Sequence, residues 1–226
     1  MCGRYALAFI RGFRTRFEVI DMQAQLEPRF NIAPTEEAPV IVRDGGNRAL
    51  MMRWGLIPSW AKDVKIGNRL INARCESLTS KPAFRAALKR RRCLVPATGF
   101  YEWRKEASGK IPFYIHLKDN SMFAFAGLHE RWISEEGETV RSFTIVTSPP
   151  NSLAATLHNR MPAILDSEGE DMWLKEGQLS DTELERILKP VAGSRMEIHE
   201  VSTGINKAGN DSPELIEPVL RAHPLQ

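Results

Sequence analysis

Four groups of residues in this 226-residue chain could do chemistry, and the first is Cys2. Behind so small a second residue Met1 is expected to be removed, which would make Cys2 the N-terminus. A terminal cysteine is a 1,2-aminothiol. Its amine can condense with an aldehyde to a Schiff base, and its thiol can then close a five-membered ring on the same carbon. An ordinary α-amine ionises at about 7.7–8.0 and a thiol at about 8.5, so both nucleophiles exist near neutral pH. The plain alternative is that Cys2 is only a second residue that happens to be cysteine. Glu102, between Tyr101 and Trp103, is the second candidate. Aromatic neighbours desolvate a carboxylate and raise its pKa, which suits proton transfer; strand alternation would instead leave Glu102 on the wet face. His158 is the third, since histidine exchanges protons near pH 7, although a lone histidine also serves structurally. Asn72 and Arg74 form the fourth group. At alternating strand positions they share a face, where an amide could orient a nucleophile and a guanidinium could grip phosphate; a sheet-face hydrogen-bond pair is equally open. Trp54, Pro58 and Trp60 read as a rigid apolar patch, either a stacking platform for bases or core.

Composition narrows what these groups could serve. With 42% hydrophobic and 26% charged residues the chain reads as a globular protein able to bury a core. No apolar run reaches the ~18 residues of a membrane span, and no signal peptide is evident, so no membrane partner and a cytoplasmic residence are expected. Three cysteines, Cys2, Cys75 and Cys93, fit no disulfide framework. Neither a CxxC pair nor an HExxH motif is present, and no Gly-rich phosphate loop, so neither metal nor cofactor is expected. Cys75 reads as a small buried hydrophobe, with a second thiol near Asn72 and Arg74 as the alternative. The net charge of +3 is uninformative, but Arg11, Arg14 and Arg16 cluster and Lys89–Arg92 form a run. That run is either a phosphate footprint or a solvated helix end.

The elements that must position these residues read as follows. Residues 11–20 carry Phe13, Phe17 and Ile20 at helical spacing. Residues 27–34 read as a loop with two prolines. Apolar runs at 38–43 and 48–54 flank Asp44-Gly45-Gly46-Asn47, a hairpin signal. Residues 54–60 are irregular. Residues 80–89 read as a helix capped by Ser80 with Pro82 in its first turn. Strand-like runs follow at 93–96, 99–103, 112–117, 122–128 and 141–147, with turn signals at Ser108-Gly109, Asp119-Asn120 and Glu136-Gly137. Residues 151–157 read as a short helix, Ser180-x-x-Glu183 as a capping box before Leu184, Ile187 and Leu188, and 196–201 as a late strand. The chain thus reads as one α+β domain over 1–226, with a mostly antiparallel, curled or barrel-like sheet, peripheral helices and a tail from about 218.

Taken in order, eight segments resemble the SOS response-associated peptidase family, the SRAP-domain abasic-site processing proteins. They are Cys2-Gly3-Arg4, 29–34, 54–60, 71–76, 99–103, 145–147, His158-Asn159-Arg160-Met161-Pro162 and Val201-Ser202. The resemblance implies the SRAP fold and a protein that binds single-stranded DNA and captures abasic sites covalently through Cys2. It further implies that Asn72 positions the Cys2 amine, that Arg4 and Arg74 hold phosphates, and that Glu102 shuttles protons. His158 would open the deoxyribose to its aldehyde, Thr147 would line the pocket, and Trp54 and Pro58 would form the wedge over which the strand turns. A monomer, associated with the nucleoid when on DNA, is expected. Met1 removal could be autocatalytic, as the family's peptidase label suggests. Two other readings use the same residues. An N-terminal-nucleophile hydrolase would turn the Cys2 thiol on an amide with Asn72 as oxyanion donor. A non-catalytic single-strand binder would use Trp54, Trp60 and the arginines, and would leave Cys2, Glu102 and His158 unexplained.

Overall fold

The computed structural model describes residues 2–107 and 109–219. Met1, the Ser108 half of one expected turn and the tail beyond 219 lie outside them. β1 (Tyr5–Leu7) is buried at every position. The helix expected over 11–20 is a single turn, α1 (Phe13–Arg16), and Val19–Met22 is instead strand β2. Gly12 enters α1 in the left-handed region (φ 79°) and Glu18 leaves it there (φ 48°), so the helix has no room to propagate. Ile20 is consequently 57% exposed, not on a buried stripe. The loop expected over 27–34 also contains a strand, β3 (Arg29–Ile32), because β1 offers it an antiparallel partner.

β4 (Glu37–Arg43) and β5 (Asn47–Trp54) form the expected hairpin, with Gly45 and Gly46 at positive φ in its turn. An irregular segment leads to β6 (Asn72–Arg74). Helix α2 (Pro82–Arg90) is capped by Lys81 with no side-chain hydrogen bond, so Ser80 is not its cap. Then come β7 (Arg92–Ala97), β8 (Gly99–Glu106), β9 (Gly109–Leu117), β10 (Phe123–Ile133) and β11 (Thr139–Ser148). The short helix expected at 151–157 is a 3₁₀ turn at Ala154–Thr156. Two-residue strands β12 (Met161–Pro162) and β13 (Ile164–Leu165) follow. Helix α3 (Ser167–Leu174), capped by Asp166, has no counterpart in the sequence reading; helix α4 (Asp181–Ile187) carries the expected Ser180/Glu183 capping box. β14 (Met196–Glu200) is the late strand.

β5, β4, β7, β10 and β11 close on themselves: each pairs with the next antiparallel, and β11 returns to β5 in parallel through Ser142↔Arg53 and Phe143↔Trp54. This closed five-stranded barrel is the curled sheet expected. A second, antiparallel sheet runs β14-β9-β8-β1-β3. One apolar cluster spans both, and the N-terminal segment plugs it: Tyr5 meets Trp54 edge-on at 5.2 Å and Phe125 at 5.8 Å.

Both basic clusters are largely used internally. Arg16 grips Glu170 through two bonds of 2.8 and 2.7 Å, and Arg14 Nε donates to the Val19 carbonyl. Arg91 pairs with Glu130 at 2.7 Å. Arg92 is buried and donates to the carbonyls of Leu88, Trp173, Lys175 and Gly177. Lys89 and Arg90 alone of that run are exposed.

Candidate active site

Strand β6 lies beside β11 in parallel, with Ile145↔Asn72, Val146↔Ala73 and Thr147↔Arg74 in register. Ala73 points into the core, so its neighbours Asn72 and Arg74 share the other face, as their spacing requires. Asn72 turns that face toward the N-terminus: its Nδ2 donates to the Cys2 carbonyl at 2.7 Å. Arg74 is exposed.

Cys2 is fully buried, and its thiol donates to the Arg4 carbonyl at 3.6 Å. Burial pushes this thiol well above the ordinary range, and the nearby Glu102 carboxylate pushes it the same way. Glu102 comes close through strand pairing. β1 and β8 run antiparallel with Tyr5↔Phe100 and Ala6↔Gly99, and Tyr101 N donates to the Arg4 carbonyl at 3.0 Å. Continuing that register brings Glu102 beside the Cys2–Gly3 stretch. Glu102 is 4% exposed, so simple alternation does not put it in water, and burial raises its pKa. Two sheet pairings, β6 on β11 and β1 on β8, therefore bring Cys2, Asn72 and Glu102 together from three distant parts of the chain.

His158 stands on the 3₁₀ turn after β11. Asn151 caps this turn by accepting from Ala154 N at 2.8 Å, and His158 N donates to the Ala154 carbonyl. The ring is half-buried, and burial lowers its pKa. Cys2, Glu102 and His158 all feel the positive charge of the amino terminus. Thr147 is buried, its hydroxyl 3.5 Å from the Ala73 carbonyl. Arg4 is half-buried and donates to the Gly3 carbonyl at 2.8 Å; burial lowers its pKa while the Glu36 carboxylate opposes that shift.

Three expectations require correction. Trp54 is fully buried, stacked on Phe143 at 6.3 Å, with its indole N–H on the Ile71 carbonyl, so it offers no face to a base. Pro58 is buried as well. Trp60, 59% exposed, is the tryptophan of this segment that a base could reach, and with Pro58 and Arg85 it borders a groove of about 440 Å³. Cys75 is half-buried rather than a core hydrophobe, with Sγ 3.9 Å from Arg160 Nη2.

Sequence reasoning assigned no role to Arg160 or Glu76. Arg160 Nη1 and Nη2 fork onto the Glu76 carboxylate at 2.5 and 3.0 Å, and Nη2 also reaches the Thr147 carbonyl. The available signal was position: Arg160 falls two residues after His158, and Glu76 two after Arg74.

Comparison with known proteins agrees with this geometry. The family model described as SOS response associated peptidase (SRAP) matches residues 1–208. The abasic site processing protein YoqW of Bacillus subtilis is 42% identical over 222 residues, covering 96% of this chain and 99% of that protein. The abasic site processing protein HMCES of Gallus gallus is 30% identical, covering 87% of this chain and 68% of that protein. A crystal structure of a protein from Bacteroides thetaiotaomicron superposes with a TM-score of 0.87 at 30% identity, covering 97% of this chain and all of that one.

Proposed function

The chain belongs to the SOS response associated peptidase (SRAP) family, and on that premise we propose that it handles abasic sites in DNA by capturing the lesion's aldehyde covalently through Cys2. The observation that carries this reading is the hold on Cys2. Asn72 fixes its carbonyl at 2.7 Å, and the desolvated Glu102 lies close enough to bear on its thiol. Relatives named abasic site processing proteins over nearly the same length support the same reading.

The chemistry follows from these groups. An abasic deoxyribose is mainly a closed hemiacetal; His158 donates a proton to the ring oxygen as the C1–O bond breaks, leaving the aldehyde. The neutral Cys2 amine adds to that carbon to give a carbinolamine. Protonated Glu102 gives its proton to the departing hydroxyl, water leaves, and an imine remains. The Cys2 thiol then adds to the imine carbon while its proton passes to the nitrogen, closing a thiazolidine. Its raised pKa keeps the thiol protonated until a base is at hand, which assigns Glu102 to both transfers. A bare imine would promote β-elimination and break the strand; ring closure and burial protect against that. Arg4 and Arg74 are proposed to hold the flanking phosphates and Trp60 to stack an unpaired base, so that the substrate is single-stranded. Asn72 spends its amide on Cys2's own carbonyl, which disfavours the N-terminal-nucleophile hydrolase reading, where that amide must serve an oxyanion.

The test is to mix protein of verified N-terminal mass with a single-stranded oligonucleotide carrying one abasic site and run a denaturing gel without reductant. A heat-stable shifted band is expected for the wild type and none for Cys2→Ala, with Cys2→Ser giving only labile adduct and strand scission. A heat-stable adduct from Cys2→Ser would sink the thiazolidine.

A further inference from the structure

Arg160 is a cation with little of its side chain in solvent (11%), and it holds three segments at once. Its fork on Glu76 ties it to the turn that follows β6, the strand of Asn72 and Arg74. Nη2 ties it to β11 through the Thr147 carbonyl and, at 3.3 Å, the Thr147 hydroxyl. Its backbone N–H, in turn, donates to Nδ1 of His158 at 3.0 Å. A ring nitrogen that accepts an N–H bears no proton, so the neutral imidazole carries its hydrogen on Nε2. Protonating Nδ1 would set two hydrogens against each other. Such bidentate guanidinium–carboxylate pairs are the most direction-specific of ion pairs, and lysine does not reproduce them.

We propose that Arg160, held by Glu76, is the positioning residue for His158: it pins the 158–160 turn to β6 and β11 and sets His158 as the neutral Nε2–H tautomer. His158 then acts on the lesion's ring oxygen as a neutral hydrogen-bond donor in the resting state, with Nε2 as the donating atom. This rests on the function proposed above. Burial, which already lowers the pKa of His158, works in the same direction. Because Arg160 is mostly buried and its fork is occupied, it is not a phosphate contact. Its removal therefore changes capture rather than DNA affinity.

The experiment has two arms. In the first, nitrogen-15 NMR on histidine-labelled protein reads the tautomer and titration of His158 without DNA. Wild type is expected to show Nδ1 bare and Nε2 protonated, titrating below the ordinary value of 6.5. Arg160→Ala is expected to mix the tautomers and move the titration up toward that value. Arg160→Lys keeps the charge and is expected not to restore the tautomer, and Glu76→Gln, at a 53% exposed side chain, moves the same way by less. In the second arm, single-turnover adduct formation is expected to fall on the order of 10- to 100-fold in Arg160→Ala. Affinity for lesion-free oligonucleotide stays within about twofold of wild type, because Arg160 contacts no phosphate. In a His158→Ala background the further change Arg160→Ala is expected to cost nothing more. An unchanged tautomer and titration in both Arg160→Ala and Glu76→Gln would overturn the inference, as would an equal rate loss with and without His158. A wild type that forms no adduct would instead overturn the proposed function, and the NMR arm would still decide the clamp.

Discussion

Glu102 is the residue whose environment most changes its chemistry. Its carboxyl is 4% exposed and its pKa is raised by burial, so it keeps its proton to higher pH than a surface glutamate does. The sign follows: as pH rises through that raised value, the protonated acid needed to expel water from the carbinolamine is lost. Glu102→Gln keeps the shape and hydrogen bonding but carries no exchangeable charge. Adduct formation in single turnover is expected to fall on the order of 10²–10⁴-fold, and the inflection above the ordinary carboxylate value of 4.5 is expected to vanish from the pH–rate profile. An inflection that persists in Glu102→Gln would assign the acid elsewhere. Thr147 and Arg160 show what residue type alone did not reveal. A threonine in a strand and an arginine after a histidine acquire their meaning only once β11 and the 158–160 turn lie side by side.

At the scale of elements, β8 carries both the fold and the site, and Gly99 shows how tightly it is held. A Cβ there would lie 2.2 Å from Cζ and 2.4 Å from the hydroxyl of Tyr114. That ring has no room to swing, since Tyr101, His116 and His199 pack around it at 5.1, 5.4 and 5.7 Å. Gly99→Ala is therefore expected to destabilise by about 1–3 kcal/mol, measured as a lower urea midpoint at unchanged m-value. Full stability would mean that Tyr114 moves aside freely. The long elements were legible in sequence because local signals agreed with tertiary demand. The β4–β5 hairpin has its glycine turn, β7–β11 alternate between turn signals, and α4 has its capping box. The short ones were not. α1 stops because Glu18 adopts a left-handed conformation that periodicity does not report, and β3 exists because β1, far outside any local window, pairs with it. The apolar spacing around α3 is too weak to separate a helix from a loop. The same limit explains Trp54 and Trp60: composition marks both as stacking candidates, and only the β5–β11 seam decides that the first is core.

At the scale of the whole molecule, stability should carry an acid limb traceable to His129. This half-buried residue on β10 has its pKa depressed to about 4, by burial first and then by the Arg91 and Arg141 charges. In the unfolded chain it would titrate near 6.5. Between those values the unfolded state binds more protons, so the stability His129 contributes is present above 6.5 and lost as pH falls toward 4. Urea unfolding at pH 4, 5, 6 and 7 is expected to show that decline, and His129→Gln to flatten it. An equally steep limb in the variant would place the titrating group elsewhere. The seating of Cys2 also fixes an order in time. Its carbonyl waits for Asn72, and β1 waits for β8 near residue 100, so the first residues translated are among the last to find their places. At ~5–20 residues per second, the amino terminus stays uncovered for about 5–20 s of synthesis. Removal of Met1 thus has its opening on the ribosome, before the barrel closes over the thiol that the cut is meant to arm.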